Sequence, residues 1–311
     1  MNIVVIGPGA LGLLFAGRLA AGGHGVTLLD HKPGRAAGLD NRIYLQESDG
    51  QRREIALTIS AEQGLMARAE LILLCVKSHQ VEKALAVALP LMGADALLLG
   101  LQNGIAHLPF FKDDKRLALG VTAQGATLLG PGQVKHGGAG PTFIGFANGQ
   151  QTLAPLTGVA RALSASGIAT EVTGEIRARL WRKLLINCGI NGLTVLHDCA
   201  NGELLTDDHR RQRLMRLVRE AAAVARAKGI ALDHDPVAQT IEVCGATAKN
   251  ISSMLQDARA SRGTEIMAIN GAISELAAQQ QIPTPENDLL VQQVLAITKK
   301  NGLAMNRDSR A

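Results

Sequence analysis

Lys183, Asn187 and Asn191 follow one another at intervals of four residues within a segment that is otherwise apolar. On an α-helix this interval keeps the three side chains on one face, with a drift of about 40° per step. A lysine among apolar neighbours is partly desolvated, which lowers its pKa towards the range of a useful general acid. The same spacing also fits a lysine that extends its ammonium to solvent and two asparagines that bond to neighbouring helices.

A glycine-rich turn near the N-terminus is the second group of candidate residues. The segment Gly7-Pro8-Gly9-Ala10-Leu11-Gly12 fits G-x-G-x-x-G and follows a β-branched run that ends at Ile6. In a dinucleotide-binding turn these glycines permit the tight bend, the close approach of the pyrophosphate and the packing of helix on strand. A plain strand-to-helix turn of another α/β fold is the alternative. The context favours a dinucleotide site.

The choice between NADH and NADPH depends on the residues after the next predicted strand. Asp30 lies where a carboxylate would accept hydrogen bonds from the adenosine ribose. His31, Lys32 and Arg35 follow it and offer positive charge to a 2′-phosphate instead. The residue types alone leave both cofactors open.

Metal chemistry is not expected from this sequence. Its four cysteines, at positions 75, 188, 199 and 244, form no CxxC pair, and none of its eight histidines has a ligand-like spacing. Two further segments have ordinary structural interpretations. Residues 250–257 have the periodicity of a helix with a solvated side, and Thr264 reads as the cap of a helix with Glu265 in its first turn.

The elements that would carry these residues alternate between strand and helix in the first half of the chain. A helix is predicted over residues 10–21, and strands are predicted over residues 2–6, 25–30, 71–76 and 96–101. Strands separated by helix-length segments imply right-handed crossovers and a parallel sheet. Gly-rich short strands between residues 117 and 172, with turns at 130–132 and 137–140, are expected to extend that sheet.

The second half of the chain has helical periodicity only. Helices are predicted over residues 211–228, 264–280 and 286–300, the first ending at Gly229 and the last two separated by Pro283-Thr284-Pro285. The predicted fold class is therefore α/β, with an N-terminal Rossmann-type dinucleotide-binding domain and a C-terminal all-helical domain. We place the first over residues 1–174 and the second, for substrate binding and catalysis, over residues 175–311.

Composition excludes several classes of protein. The 311 residues are 47% apolar and 19% charged, as in globular proteins, and their 2% aromatic content gives no stacking surface for nucleic acid. The net charge of +5 contains no block of like charges that would mark a nucleic-acid or membrane patch. Neither a signal peptide nor a run of roughly 18 apolar residues is recognisable, so the expected location is the cytoplasm.

Taken end to end, the sequence resembles the ketopantoate reductases (2-dehydropantoate 2-reductases). The likeness rests on the glycine turn, on Leu180-Trp181-Arg182-Lys183 with its two asparagines, on Asn201-Gly202-Glu203-Leu204, and on the blocks at 250–257 and 264–271. The resemblance implies a Rossmann domain followed by a helical domain of the 6-phosphogluconate dehydrogenase C-terminal type, with the active site in the cleft between them. It also implies reduction of 2-dehydropantoate to (R)-pantoate, normally with NADPH, on the route to pantothenate and coenzyme A.

The resemblance also implies roles for individual residues. Lys183 matches the family's proton donor and Glu265 its acidic partner, and these two are the expected catalytic residues. With the glycine turn and the end of the second strand included, the expected cofactor-binding residues are Gly7, Pro8, Gly9, Ala10, Leu11, Gly12, Asp30, Lys32, Lys77, Asn103, Ala126 and Glu265. The expected substrate-binding residues are Asn103, Lys183, Asn187, Asn191, Asn201, Asn250 and Ser253.

One departure from the family and two rival functions stay open at this point. Members of the family often carry an arginine near the 2′-phosphate, where this sequence has Asp30-His31-Lys32. The resemblance favours NADPH, with NADH as the alternative. The rival functions are a reductase of another small 2-keto acid and a dinucleotide-sensing protein without turnover, and the intact set of site residues argues against the latter. The surfaces of the helical domain also suggest a homodimer.

Overall fold

The computed structural model of the protein describes residues 1–147 and 152–308, with side chains described as far as Lys299. The chain forms two compact units. The first comprises residues 1–102 and 107–176, and the second comprises residues 103–106 and the chain from Arg177 onward. The loop 103–106 therefore belongs to the second unit, although the segments on both sides of it belong to the first.

The first unit is a β-sheet structure with helical crossovers. Its strands are β1 (Asn2–Ile6), β2 (Gly25–Leu29), β3 (Arg42–Gln46), β4 (Arg52–Ala56), β5 (Thr58–Ser60), β6 (Leu71–Leu74), β7 (Leu97–Gly100), β8 (Leu117–Thr122), β9 (Gly125–Gly130), β10 (Gln133–Gly138), β11 (Thr142–Phe146) and β12 (Thr170–Val172). Its helices are α1 (Ala10–Ala21), α2 (Pro33–Ala37), α3 (Val81–Ala88) and α4 (Ala154–Ala165), with short 3₁₀ turns at Gln63–Arg68, Ser78–Gln80, Leu89–Leu91 and Leu108–Phe111.

Eight of these strands form the main sheet, in the order β12-β11-β8-β7-β6-β1-β2-β5. The six strands from β8 to β5 are parallel, and Val4 on the central β1 lies opposite Thr27 on β2 and Ile72 on β6. β11 runs antiparallel to β8. The side chains of the central strands are buried because helices cover both faces, which is why their sequences are continuously apolar. The predicted Rossmann-type parallel sheet is thus confirmed.

The expectation that residues 117–172 extend this sheet is only partly correct. β8, β11 and β12 do so, whereas β9 and β10 join β3 and β4 in a separate four-stranded sheet of order β4-β3-β10-β9. This small sheet alternates apolar and polar residues: Ile43 and Leu45 are buried on β3, with Tyr44 only half-buried between them. A strand with only one face covered has alternating apolar and polar residues. Strands β3 and β4 of the small sheet were missed because only continuously apolar runs were predicted to be strands in that part of the chain.

Helix α1 packs between the two sheets and so fixes the glycine turn that precedes it. The helix contacts strands of both sheets, and Leu13, Leu14 and Phe15 are fully buried. A Cβ placed on Gly17 would lie 3.0 Å from Ile43 of the small sheet, so the contact there is close. Because α1 is held on two sides, its N-terminus has a fixed position beyond the end of β1.

The second unit is helical. Its helices are α5 (Ile176–His197), α6 (Asp208–Ala227), α7 (Pro236–Ala246), α8 (Ser253–Arg259), α9 (Asn270–Gln279) and α10 (Pro285–Asp308), with 3₁₀ turns at Asn201–Leu204 and Ile266–Ala268. In α6 the predicted apolar stripe is buried, Asp207 caps the N-terminus, and Gly229 follows the C-terminus at φ +70°. None of the described helices combines the length and the apolar character that crossing a bilayer requires.

The predicted helix over residues 264–280 is wrong in its first turn. Thr264 caps no helix, and Glu265 instead precedes the 3₁₀ turn Ile266–Ala268. At Ile269 the backbone leaves the helical region (φ −106°, ψ −87°), and α9 begins only at Asn270. Elsewhere α8 begins at Ser253 with Ser252 as its cap, and α10 begins at Pro285, one residue before the predicted start, and continues to Asp308, beyond the predicted end at residue 300.

Candidate active site

The glycine turn has the geometry that its sequence predicts. Gly7 lies at φ +107°, and a Cβ there would be 3.0 Å from the backbone carbonyl of Cys75 on the neighbouring chain segment. A Cβ on Gly12 would be 1.9 Å from the Gly7 carbonyl oxygen. Side chains at these two positions would therefore force β1, α1 and the end of β6 apart.

The space in front of the turn suits a pyrophosphate. Gly9 is the N-cap of α1 in an extended conformation, and, its chain neighbours aside, no atom of a described residue lies within 4 Å of the position that its Cβ would occupy. The first turn of α1 contains no acidic residue, so its backbone N–H groups and the helix dipole favour an anion there. Pro8, Ala10 and Leu11 complete the loop. These residues fit a dinucleotide.

Asp30 is fully buried and engaged by its own neighbours. Arg35 donates to both carboxylate oxygens, from Nε to Oδ2 and from Nη2 to Oδ1 at 2.6 Å, and the Lys32 N–H donates to Oδ1 at 3.0 Å. Burial alone would raise the pKa of Asp30, but these hydrogen bonds and the Arg35 charge hold it below its usual value. The carboxylate charge is thus compensated within the protein, while Lys32 and His31 are exposed.

Two other predicted cofactor residues lie at separate places in the first unit. Lys77 is half-buried and follows the carboxyl end of β6, where Gln80 N–H donates to its carbonyl at 2.8 Å. Ala126 is half-buried on β9, opposite His136 of β10. Gln102 was not predicted as a site residue, but its side-chain amide donates to the Leu74 carbonyl at 2.6 Å and holds the chain at the end of β6.

In the second unit, α5 presents the predicted polar stripe. Lys183 and Asn187 are half-buried and Asn191 is 6% exposed, whereas Leu184 and Leu185 between them are buried. Burial lowers the pKa of the Lys183 ammonium to about 8, and the negative charge of Glu265 acts in the opposite direction. Within the described part of the chain, the amides of Asn187 and Asn191 make no hydrogen bond to protein groups. They are available to a polar ligand.

Glu265 and Asn103 meet although 162 residues separate them in the chain. Asn103 Nδ2 donates to Glu265 Oε2 at 3.0 Å. The loop is fixed by a second contact, in which the Ile105 N–H donates to the Ala268 carbonyl at 3.3 Å. Gly104 makes this possible, because it lies at φ +76° and a Cβ there would be 2.1 Å from the Ala268 oxygen. The structure thus brings Asn103, Glu265 and the charge of Lys183 together.

The remaining predicted substrate residues form a different group. The Asn201 amide donates to Thr247 Oγ1 at 2.9 Å, and the Asn201 N–H donates to the Asn250 carbonyl at 3.0 Å. Asn201 is buried, and its Oδ1 has no hydrogen-bond partner among the described residues. The side chains of Asn250 and Ser253 are exposed.

A neighbouring serine connects this region to α5. Ser252 is buried, caps α8 by accepting from the Leu255 N–H at 3.1 Å, and lies 2.6 Å from Thr194 Oγ1. Thr194 in turn donates to the Asn191 carbonyl at 2.8 Å. The sequence analysis singled out Ser253 alone, although a serine before a helix is a usual N-cap signal. No group of three or more His, Cys, Asp or Glu side chains within the described ranges is placed to hold a metal ion.

Comparison with known proteins identifies the family. The family model described as ketopantoate reductase PanE/ApbA matches residues 3–149, and its C-terminal counterpart matches residues 175–298. The chain belongs to the ketopantoate reductase family. It is therefore related to oxidoreductases named 2-dehydropantoate 2-reductase, such as that of Halobacterium salinarum, which is 35% identical over 92% of this chain and 95% of its own. The Vibrio cholerae enzyme of that name is 33% identical over 94% and 97%.

Solved structures agree with this assignment. A PanE/ApbA family ketopantoate reductase from Ralstonia eutropha superimposes with a TM-score of 0.87, is 27% identical, and covers 96% of this chain and 99% of its own. A D-mandelate dehydrogenase, solved in a ternary structure with NADH and anilino(oxo)acetate, has the same TM-score and coverage at 30% identity. The α/β fold with a helical C-terminal part is common to the family, whose members use a nicotinamide dinucleotide.

Proposed function

We propose that the protein is a 2-dehydropantoate 2-reductase that reduces ketopantoate to (R)-pantoate. The observation that carries the proposal is the α5 stripe: a lysine with a lowered pKa beside two unengaged amides, and within the electrostatic reach of Glu265. Reduction of a ketone by hydride needs a proton for the carbonyl oxygen and a means of orienting a polar acid, and this stripe offers both.

The glycine turn, Lys77, Asn103 and Ala126 are the residues that would hold the dinucleotide. Its nicotinamide ring, when bound, supplies the hydride to the keto carbon. The protein's own side chains polarise the carbonyl and supply the proton. Lys183 Nζ polarises the carbonyl and gives a proton to the oxygen as negative charge develops on it. Glu265 supports the charged form of the lysine, and Asn103 orients the Glu265 carboxylate.

The amide and hydroxyl groups would bind the rest of the substrate. Ketopantoate carries a carboxylate and a hydroxyl, and the side chains of Asn187, Asn191, Asn250 and Ser253 are neutral groups that suit both. Asn201 would act from its buried position, through the carbonyl oxygen that no described residue engages. A buried polar group of this kind is a cost to the folded state unless a ligand satisfies it.

NADPH is the cofactor that we propose for this chain. An aspartate after the second strand favours NADH only when its carboxylate is free to accept from the ribose. Here Asp30 is buried and accepts from Arg35 and from the Lys32 backbone. The exposed ammonium of Lys32 then favours a 2′-phosphate, whereas the Arg35 charge is already balanced by Asp30. A cytoplasmic location and a homodimer formed through the helical unit stay predictions of the sequence.

A second function is favoured by one specific comparison. Because a D-mandelate dehydrogenase bound to NADH is as similar in structure as the ketopantoate reductase named above, reduction of another 2-keto acid with NADH is the alternative.

One assay separates these functions: the oxidation of NADPH and NADH measured by absorbance with ketopantoate, with phenylglyoxylate and without substrate. We expect the highest kcat/KM with ketopantoate and NADPH. A preference for phenylglyoxylate and NADH would support the alternative, and dinucleotide binding without oxidation would indicate a non-catalytic sensor.

A further inference from the structure

Four side chains of the second unit form a buried polar cluster that the proposed reaction does not use. Cys188, Glu220, Asn270 and Asn287 make up this cluster, called the amide hub below, and both asparagines are fully buried. Asn270 Nδ2 donates to Asn287 Oδ1 at 2.9 Å, and Asn287 Nδ2 donates to Glu220 Oε2 at 2.7 Å. The Cys188 thiol donates to Asn287 Oδ1 at 3.0 Å. The hub joins α5, α6, α9 and α10.

Asn270 connects the hub to the backbone of α5 beside the substrate stripe. Its Nδ2 lies 3.1 Å from the carbonyl oxygen of Cys188, the residue that follows Asn187. Other contacts of α5 nearby are apolar, as at Gly192, where a Cβ would lie 2.7 Å from Leu290, or are made by side chains, as by the Cys188 thiol and the Thr194 hydroxyl. Apolar contacts set the distance between helices but are not directional, whereas a hydrogen bond to one carbonyl fixes rotation and register.

The same asparagine also follows the segment that carries Glu265. Asn270 is the first residue of α9, and the preceding turn is closed by the Glu265 carbonyl, which accepts from the N–H groups of Ala268 and Ile269 at 2.9 and 3.1 Å. One side chain therefore ties the turn that bears Glu265 to the helix that bears Lys183 and Asn187.

The hub is not the arrangement that stability alone would favour. Asn270 Oδ1 is buried and has no hydrogen-bond partner among the described residues. An unsatisfied buried acceptor carries a desolvation cost that a leucine, which has the same branching and no polar atom, avoids. Polar groups kept in an apolar interior at such a cost can specify one orientation of the helices around them.

We propose that Asn270 is a positioning residue for the reductase reaction, because it sets the rotation of α5 relative to the turn that carries Glu265. The inference rests on the proposed function. Asn270 touches neither substrate nor cofactor in this account. It acts through the placement of the Lys183 ammonium and the Asn187 amide.

The test compares Asn270→Leu and Asn270→Asp with the wild type, using ketopantoate and NADPH. Both variants lack the amide donors, and the aspartate keeps the shape of the side chain. We expect kcat to fall at least about tenfold, since small displacements of catalytic groups are costly. Binding of NADPH should change less than about twofold. The fall in kcat should persist at temperatures at which each variant is fully folded.

The matched control is Thr240→Val. Thr240 is also fully buried, but its hydroxyl makes only a local bond within α7, to the Pro236 carbonyl at 2.7 Å. This variant should lose thermal stability and keep kcat within about twofold. If the role of Asn270 is only structural, its variants should behave like Thr240→Val. They would then lose activity only to the extent that the protein unfolds.

Two results would overturn the inference: retention of kcat in folded Asn270 variants, or loss of kcat in proportion to Tm across all three variants. If Asn270→Leu does not fold, the alkaline limb of the kcat–pH profile of Asn270→Ser, which adds no charge, decides. A displaced Glu265 would support the Lys183 ammonium less, so the limb should move to lower pH, and an unmoved limb contradicts the inference. If the wild type does not oxidise NADPH in the presence of ketopantoate, the proposed function is contradicted as well. If the wild type is active and the Asn270 variants keep its kcat, only the inference about Asn270 is contradicted.

Discussion

Lys183 and Glu265 illustrate how burial and one neighbouring charge together set the pKa of a lysine. Burial destabilises the ammonium and lowers its pKa to about 8, while the carboxylate charge opposes that effect. At pH 7 the lysine is therefore still largely protonated, yet it releases a proton more readily than an exposed lysine with a pKa near 10. Both properties are needed in a donor that works at neutral pH.

Glu265→Gln tests this balance. Removing the negative charge takes away the effect that raises the pKa of Lys183, so that pKa should fall further and the protonated fraction should decline at high pH. The loss of kcat should then be at least about threefold larger at pH 8.5 than at pH 6.5. Glu275→Gln, which removes an exposed carboxylate from α9 of the same unit, is the control and should leave the kcat–pH profile unchanged. An equal loss at every pH would argue against an electrostatic role.

The ion pair between Asp30 and Arg35 leads to a prediction about the preference for NADPH over NADH. If Lys32 provides the charge for a 2′-phosphate, Lys32→Ala should raise KM for NADPH about tenfold and barely change KM for NADH. Arg35→Ala frees the Asp30 carboxylate to accept from the ribose, so it should raise KM for NADPH and lower KM for NADH. Lys83→Ala, an exposed lysine on α3 of the same unit, should affect neither cofactor. A native preference for NADH that Asp30→Ala abolishes would show that the carboxylate turns to the ribose when the cofactor binds.

The role of a single residue was predictable where the local backbone geometry accepts only that residue type. The glycine turn is an example, because both the positive φ of Gly7 and the close packing at Gly12 demand glycine. The hydrogen-bond partners of Asp30 were less predictable. The sequence places Arg35 five residues away, but it does not determine the orientation of either side chain. Ser252 and Gln102 were missed because their roles depend on groups of other elements, Thr194 and the Leu74 carbonyl.

The loop 103–106 and the turn at 265–268 show how two short elements hold the Glu265 carboxylate. Gly104 is the point of closest approach, and Asn103 and Ile105 on either side of it supply the two hydrogen bonds. The contact partner of Gly104 is backbone, which cannot move aside as a flexible side chain would. A residue with a Cβ must therefore displace one of the two segments.

Gly104→Ala should consequently damage catalysis more than folding. The added methyl group would meet the Ala268 carbonyl and break the Asn103–Glu265 hydrogen bond, so kcat with ketopantoate should fall at least about tenfold. Gly158→Ala is the control, because no atom lies within 4 Å of its Cβ position and it sits inside helix α4, where alanine is favoured. The test is to measure steady-state kinetics and Tm for both variants. Normal turnover of Gly104→Ala would contradict the proposed role of the contact between Gly104 and the Ala268 carbonyl.

Elements with a strong periodic pattern were predicted well, and elements formed by long-range contacts were not. The predicted bounds of β1 and α1 coincide with the observed ones, because a β-branched run and a run of good helix formers leave little choice. The small sheet was missed, since its strands come from two distant parts of the chain and only one face is covered. The helix start at Thr264 was wrong because the Glu265 turn is shaped by its contacts with 103–106.

The sequence pattern changes near residue 175, where β-branched runs give way to helical periodicity, and the chain passes from the first unit to the second between Ile176 and Arg177. The family relationship extends over both units, since one family model matches residues 3–149 and the other 175–298. What the pattern could not indicate is that the four residues 103–106 leave the first unit and join the second. Such an excursion is encoded by contacts, at Ala268 and Glu265, that no local pattern records.

The central claim is that Lys183 supplies the proton in a reduction of ketopantoate, and one comparison tests it most directly. Turnover of ketopantoate with saturating NADPH is measured for the wild type, for Lys183→Ala and for Arg182→Ala. Arg182 is the neighbouring cation on α5, but it lies off the stripe and pairs with Asp233 at 2.8 Å. We expect Lys183→Ala to lose about 10²-fold or more in kcat with NADPH affinity retained, and Arg182→Ala to stay within about twofold of the wild type. Near-normal turnover of Lys183→Ala, or an equal loss in Arg182→Ala, would contradict the account.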